Sequence, residues 1–318
     1  MTRIVLSTGN IVTAGPSIIR KPGASRSNLE LPTSLRSNFE AAQQDYATYT
    51  VGSDGKELRT QENGHPVNGD GKPAIDAWTT TEDSVLYVPR IDWSAAGLQE
   101  DPAQYEITLK LFFLPSAPAA RRGEYIDEAL RLVTKELRVE RIDLLIVSFP
   151  GVSFEGDCEW KADRINATMG NEEEEVATWS ALESLYEQGK VGRLGIAEFG
   201  TEKLQRFISK VKVRPAVDQI NIKDCCSVPP PLVKLAKSEG IELLTHRDCT
   251  DILPSGTLRE LLGQGAQGAG VLADDASAQN GLRGNLIPEW VIKYTAFVNY
   301  RGVIENKGYF AGAELVKT

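Results

Sequence analysis

The spacing of apolar residues along this chain switches repeatedly between a period near two and a period near 3.6. Arg3–Thr8 (RIVLST) reads as a short strand, and Ser34–Tyr46 places Leu35, Phe39, Ala42 and Tyr46 three to four residues apart, which predicts a helix. From residue 84 the pattern becomes regular. Strands are expected over SVLYVP, EITLKLFF, DLLIVSF, RLGIAEF, AVDQIN and IELLTH. Helices are expected over 121–138, where Ile126, Leu130, Val133 and Leu137 share a face, and over VATWSALESLYEQGK, TEKLQRFISKV, PPLVKLAKSEG and SGTLRELLG. The last pair is expected to be a helix over PEWVIKYTAFVNYRG and a strand over VIENKG. DLLIVSF is almost uninterrupted apolar sequence, as strands buried on both faces are. Strand and helix alternating every ~25–35 residues predict βαβ units and a parallel sheet. About eight such strands favour a closed (β/α)8 barrel over an open doubly wound sheet, and no GxGxxG follows the first strand.

Polar stretches interrupt this pattern. Pro16–Pro32 is rich in Pro, Gly and Ser and reads as a loop. Residues 50–83, 154–172 and 263–285 read as insertions, flexible and without core-forming sequence of their own, within one barrel domain spanning 1–318.

Composition narrows the chemistry. The 318 residues carry a net charge of −9, which argues against a nucleic-acid or anionic-membrane surface. No apolar run reaches the ~18 residues of a membrane span, and no cleavage pattern marks the N-terminus, so a cytoplasmic protein is expected. The two histidines are His65 and His246. The four cysteines, Cys158, Cys225, Cys226 and Cys249, form no CxxC and have no histidine at ligand spacing, so no metal site is expected. Ten acidic residues against three basic ones lie between Glu155 and Lys190, including Glu172–Glu175 at the start of a helix. Acids there suit the helix dipole, so this run is either a solvated helix start or a contact surface.

Three segments resemble the aldo-keto reductase superfamily: Gly189–Phe199 (GKVGRLGIAEF), Pro215–Asn221 (PAVDQIN) and Arg141–Pro150 (RIDLLIVSFP). The resemblance implies a TIM-type barrel, here with long polar insertions and a truncated C-terminus. Within that superfamily, QINIKDCCSVPPPL, ELLTHRDCTDIL and EWVIKYTAFVNYRGVIENKGY are similar to the modifier subunits of glutamate–cysteine ligase. That closer resemblance implies a non-catalytic regulator. It would bind the catalytic subunit in a heterodimer and tune its glutamate use and glutathione feedback in glutathione biosynthesis.

Aldo-keto reductases act through a tyrosine acid, a lysine that lowers its pKa, an aspartate paired to that lysine and a histidine that orients the carbonyl. By resemblance Lys110 occupies the lysine position, and Ser148 stands where the histidine would be. No segment between residues 30 and 105 matches the one supplying aspartate and tyrosine. Ile304–Gly308 keeps Lys307 of the phosphate-gripping segment but puts Glu305 beside it. The expectation is no catalytic residue and no cofactor, with Lys110, Ser148 and Lys307 as vestiges. Residual NADP binding, and with it an altered NADP-dependent reductase, is the alternative. His246 ends a strand where barrel active sites lie. It is either a hydrogen-bonded structural residue or an acid–base partner of Asp248. Cys225, Cys226 and Cys249 are either inert thiols or, by the resemblance, redox contacts to a partner.

Overall fold

The computed structural model describes residues 2–13, 27–45, 48–51, 57–60, 73–154, 159–221, 228–273 and 281–316. The strands are β1 (Thr2–Ser7), β2 (Thr48–Val51), β3 (Glu57–Thr60), β4 (Thr80–Glu82), β5 (Val85–Val88), β6 (Tyr105–Phe113), β7 (Ile142–Ser148), β8 (Val191–Ala197), β9 (Val217–Asn221), β10 (Glu242–His246), β11 (Asn285–Val298) and β12 (Val303–Val316). The helices are α1 (Ser27–Asp45), α2 (Ile75–Trp78), α3 (Arg122–Leu137), α4 (Glu159–Asn166), α5 (Glu172–Glu187), α6 (Thr201–Ile208), α7 (Pro230–Glu239) and α8 (Thr257–Leu262).

The fold is α/β. A ten-stranded sheet runs in the order β10-β9-β8-β7-β6-β11-β12-β1-β5-β4, and β2 and β3 form a separate ribbon. The five strands β6 to β10 are mutually parallel, each joined to the next through one or more helices. Their side chains alternate strictly. Leu109 and Leu111 of β6 pack outward with Tyr125, Ile126 and Leu130 of α3, whereas Lys110 and Phe112 point to the other face. Flat strands spaced ~4.8 Å apart would put β6 and β10 ~19 Å from each other. Lys110 of β6 nevertheless comes within 3.4 Å of the His246 ring on β10. A lysine and an imidazole cannot span that gap, so the five strands curl around a lumen as a barrel wall does.

The other half departs from the expected βα repeat. PEWVIKYTAFVNYRG is not a helix: it lies in β11 and the turn after it, and β11 pairs with β12 as a long antiparallel hairpin. β11 also pairs antiparallel with β6, and β12 with β1. The physical reason is the density of β-branched and aromatic residues (Trp290, Val291, Ile292, Tyr294, Thr295, Phe297, Val298), which favours a pleated surface over a helix. Trp290 is fully buried opposite Gly312, where a Cβ would sit 2.3 Å from the indole. Only glycine admits that ring.

Parts of the spans read as insertions are built into the structure. Trp78, within 50–83, is fully buried beside Phe39. Within 154–172, α4 supplies the buried Asn166, and within 263–285 Val271 and Leu272 are buried in the second apolar core with α8 and α1. Alanine, valine and leucine scattered among glycines still make a core wall where the chain runs beneath a helix. The Pro16–Pro32 loop ends sooner than expected, since α1 begins at Ser27 and carries Pro32 inside it.

Candidate functional site

Lys110, buried in the middle of β6, reaches into the lumen. Its register partner on β11 is Lys293, whose own partner on β12 is Tyr309. Two cationic side chains directly opposite each other repel unless an anion lies between them. Asp248, two residues past the end of β10, is that anion. Its Oδ2 accepts from Lys110 Nζ at 3.2 Å and its Oδ1 from Lys293 Nζ at 2.8 Å. Burial alone would raise the Asp248 pKa, but the two ammoniums outweigh it and hold the carboxyl well below the usual carboxylate range. Burial pushes the Lys110 pKa down, against the pull of Asp248 and Glu198.

His246 lies against this pair. Its Nδ1 accepts the Asp248 backbone N–H at 3.1 Å, so the ring proton sits on Nε2 and faces Glu198 Oε1 at 2.5 Å. Glu198 follows β8 with a left-handed backbone (φ 69°). That turn aims its carboxylate at two further donors: Oε2 accepts the Phe154 N–H at 2.7 Å and Oε1 the Asn221 N–H at 3.1 Å. Asn221 in turn donates to the Asp248 carbonyl at 3.1 Å. The cluster thus ties β6, β8, β9, β10 and β11 across the lumen.

The expected site residues separate into two groups. Lys110, His246 and Asp248 come together. Ser148 is buried at the end of β7, in register with Phe112. Cys249, next to Asp248, is half-buried. Cys158, Cys225, Cys226 and His65 lie outside the described residues. Lys307 is far along β12, where its ammonium pairs with Glu30 of α1 at 2.7 Å. Tyr309 donates to the same Glu30 at 2.5 Å. The Glu172–Glu175 run is partly engaged within the chain, with Glu173 left exposed. Glu172 pairs with Arg206 and Lys210, Glu174 with Arg122, and the buried Glu175 with Lys203 at 2.7 Å.

Glu198 and Lys293 escaped the sequence reading. Glu198 lay inside a quoted strand motif with no chemistry assigned to it. Lys293 was placed on a helix, although it occupies the inward parity of an alternating strand.

The cationic side chains singled out by the aldo-keto reductase resemblance are engaged by carboxylates of this chain. Lys307 is neutralised by Glu30, and Glu305 is held by Tyr105 and by Arg301 at 2.7 Å. Lys110 and Lys293 share the Asp248 carboxylate. No metal-binding group of three or more His, Cys, Asp or Glu occurs among the described residues.

The aldo/keto reductase family model matches residues 93–306. A Schizosaccharomyces pombe protein provisionally named a glutamate–cysteine ligase regulatory subunit is 31% identical over 221 residues, 67% of this chain and 71% of that one. The mouse glutamate–cysteine ligase regulatory subunit is 26% identical over 68% of each chain, and the human one 25% over the same shares. Among solved structures, an NADP complex of a Bombyx mori aldo-keto reductase is 23% identical and overlaps 44% of this chain and 40% of that one. Its TM-score of 0.32 is too low to argue from. The chain belongs to the aldo/keto reductase family, in the company of relatives named as glutamate–cysteine ligase regulatory subunits.

Proposed function

We propose that this chain is the regulatory subunit of a cytosolic glutamate–cysteine ligase, a protein that makes no bond itself. It binds the catalytic subunit and changes that subunit's use of glutamate and its inhibition by glutathione. The relatives' names support a regulatory role in that system. The observation that carries the non-catalytic part is the pairing of Lys110. Its partners are Asp248 and His246, and no tyrosine hydroxyl is among them. A lysine with no phenol among its partners has no acid to tune.

Three buried tyrosines agree. A general acid near neutral pH needs a lowered phenol pKa. Burial, with Glu30 adding to it, pushes Tyr309 well up. Burial and Glu136 do the same to Tyr294, and burial with Glu305 takes Tyr105 to about 12. No helix among the described residues is long and apolar enough to cross a membrane.

Regulation without chemistry requires that this chain bind one state of its partner more tightly than another. A coupling of ~1–3 kcal/mol shifts an apparent affinity ~5–150-fold. The test is co-purification with the catalytic subunit, followed by assay of the complex and of the lone catalytic subunit. The expected result is a lower KM for glutamate and weaker glutathione inhibition in the complex. A complex with unchanged kinetics, or no complex, overturns the proposal. Titration of the purified chain with NADPH is expected to show no saturable binding. Carbonyl-dependent NADPH oxidation abolished by Lys110→Met would establish the reductase alternative instead.

A further inference from the structure

A cavity of about 670 Å³ opens beside the C-terminal ends of β6 and β7 and the start of β11. Its lining starts where the cluster's strands end. Phe113 closes β6 three residues after Lys110, Pro150 lies two residues beyond Ser148, and Thr250 lies two residues beyond Asp248. The first residues of β11, Leu286 to Pro288, complete the wall.

The lining has a definite chemistry. Phe113, Leu253, Leu286, Ile287 and Pro288 give apolar walls, and Phe113 and Leu253 are themselves buried, so these walls are held in place. Ser153 and Thr250 set two hydroxyls side by side at 3.4 Å on the rim. Among the described residues that line it, the only formally charged one is the exposed Asp251, and none is lysine, arginine or histidine. An anionic ligand is disfavoured there. Apolar walls for side chains, hydroxyls able to meet main-chain amides and a single carboxylate at the edge describe a receptor for extended polypeptide with a cation next to its apolar residues.

We propose that this mouth cavity is the docking site for the partner subunit. In this reading an extended apolar segment of the partner inserts between Phe113, Leu253 and Ile287 and sets a lysine or arginine against Asp251. The inference rests on the regulatory role proposed above and names the surface through which it acts. Charge complementarity selects the occupant: Asp251 is the cavity's one charge, on a chain of net charge −9, so the matching partner segment is basic. Apolar insertion supplies affinity, and the carboxylate fixes orientation and association rate.

The experiment measures the dissociation constant between the full chain and the full-length catalytic subunit by isothermal titration calorimetry, with three variants. Ser255→Trp fills the cavity from an exposed position, and Asp251→Lys reverses its charge. Glu140→Lys makes the same charge reversal at a separate groove between α3 and α5. Each variant is first matched to the wild type in Tm and circular dichroism. Ser255→Trp and Asp251→Lys are each expected to weaken the complex at least tenfold, Asp251→Lys mainly through slower association at low salt, while Glu140→Lys binds as the wild type does. If the wild type forms a complex and both cavity variants bind equally well, the docking site is wrong and the regulatory reading stands. If the cavity variants alter only self-association of this chain, a second copy is the occupant and the proposal falls. If the wild type forms no complex, both readings fall together.

Discussion

Asp248 holds two lysines on one carboxylate, and the cost of losing it follows from where those lysines lie. Lys110 and Lys293 are register partners on adjacent strands, and Lys110 is about 5% exposed. Asp248→Ala leaves like charges facing each other in a buried place. Breaking a buried ion pair from one side costs ~3–5 kcal/mol. Urea unfolding is expected to show a lower midpoint with an unchanged slope, and a midpoint within error of the wild type would show that the cluster contributes nothing. The pH dependence has a definite sign. The Asp248 pKa is lowered in the folded state, so its contribution is present above the unfolded carboxyl value of ~3.9 and is lost as the pH falls below it. Asp218 has the opposite sign. Burial, with Glu198 adding to it, raises its pKa well above the ordinary value against the Phe199 N–H, and its Oδ2 has no hydrogen-bond partner. The folded chain keeps that proton after the unfolded chain has lost it, so stability falls as the pH rises from ~4 toward the raised value. Asp218→Asn mimics the protonated acid. Its Tm is expected to equal the wild type's near pH 4 and to exceed it at pH 7. A variant less stable than wild type at pH 7 would show that Asp218 is ionised and usefully paired.

At the scale of elements, the long hairpin separates what the sequence shows from what it hides. The strands β6 to β10 were legible because their alternation, apolar runs and intervening helices all agree. The segment from Pro288 to Gly302 satisfies both periods at once, since Trp290, Val291, Ile292, Tyr294, Ala296, Phe297 and Val298 crowd it with apolar positions. Periodicity cannot arbitrate such a segment; its β-branched and aromatic content can. The misreading propagated to the site. Lys293 becomes a lumen residue only once β11 is a strand in register with β6, and Glu198 only once the sheet curls enough to bring β8 to face β10. Lys110 was visible through the family resemblance, and His246 because it ends a strand where barrel active sites lie. Packing in the hairpin gives its own prediction. Gly312→Ala places a methyl group 2.3 Å from the Trp290 ring, which is fully buried and cannot turn away. Overpacking of this kind costs ~1–3 kcal/mol. The expected result is a lower Tm, with much of the loss restored by Trp290→Phe in the same chain, because the smaller ring vacates the overlap. A double variant no better than Gly312→Ala alone would locate the strain in the backbone instead.

At the scale of the whole molecule, the two ends of the chain are interlocked. β1 lies between β12 and β5, so the first strand is internal to the sheet and not an edge. Arg3 on β1 reaches Glu289 on β11 and Glu128 on α3. Arg121 reaches Glu289 and Glu314 on β12, and Tyr125 donates to Glu289 at 2.6 Å. The Tyr125 ring lies between the two guanidiniums, with Arg3 at 5.4 Å and Arg121 at 5.2 Å from its centre. This clasp joins residues nearly three hundred positions apart around a carboxylate about 1% exposed. β1 is hydrogen-bonded along both edges and carries the Arg3 pairs to Glu289 and Glu128, so the sheet should unfold as one unit rather than shedding its first strand. Arg3→Ala removes one of three partners from Glu289 while Arg121 and Tyr125 remain, which places the loss near 2 kcal/mol, below that of a fully orphaned buried charge. Intrinsic fluorescence and circular dichroism should report coincident, single urea transitions for wild type and variant, with the variant's midpoint lower. Two separated transitions in the variant would mean that β1 docks as an independent segment and that the clasp is decoration on an already stable sheet.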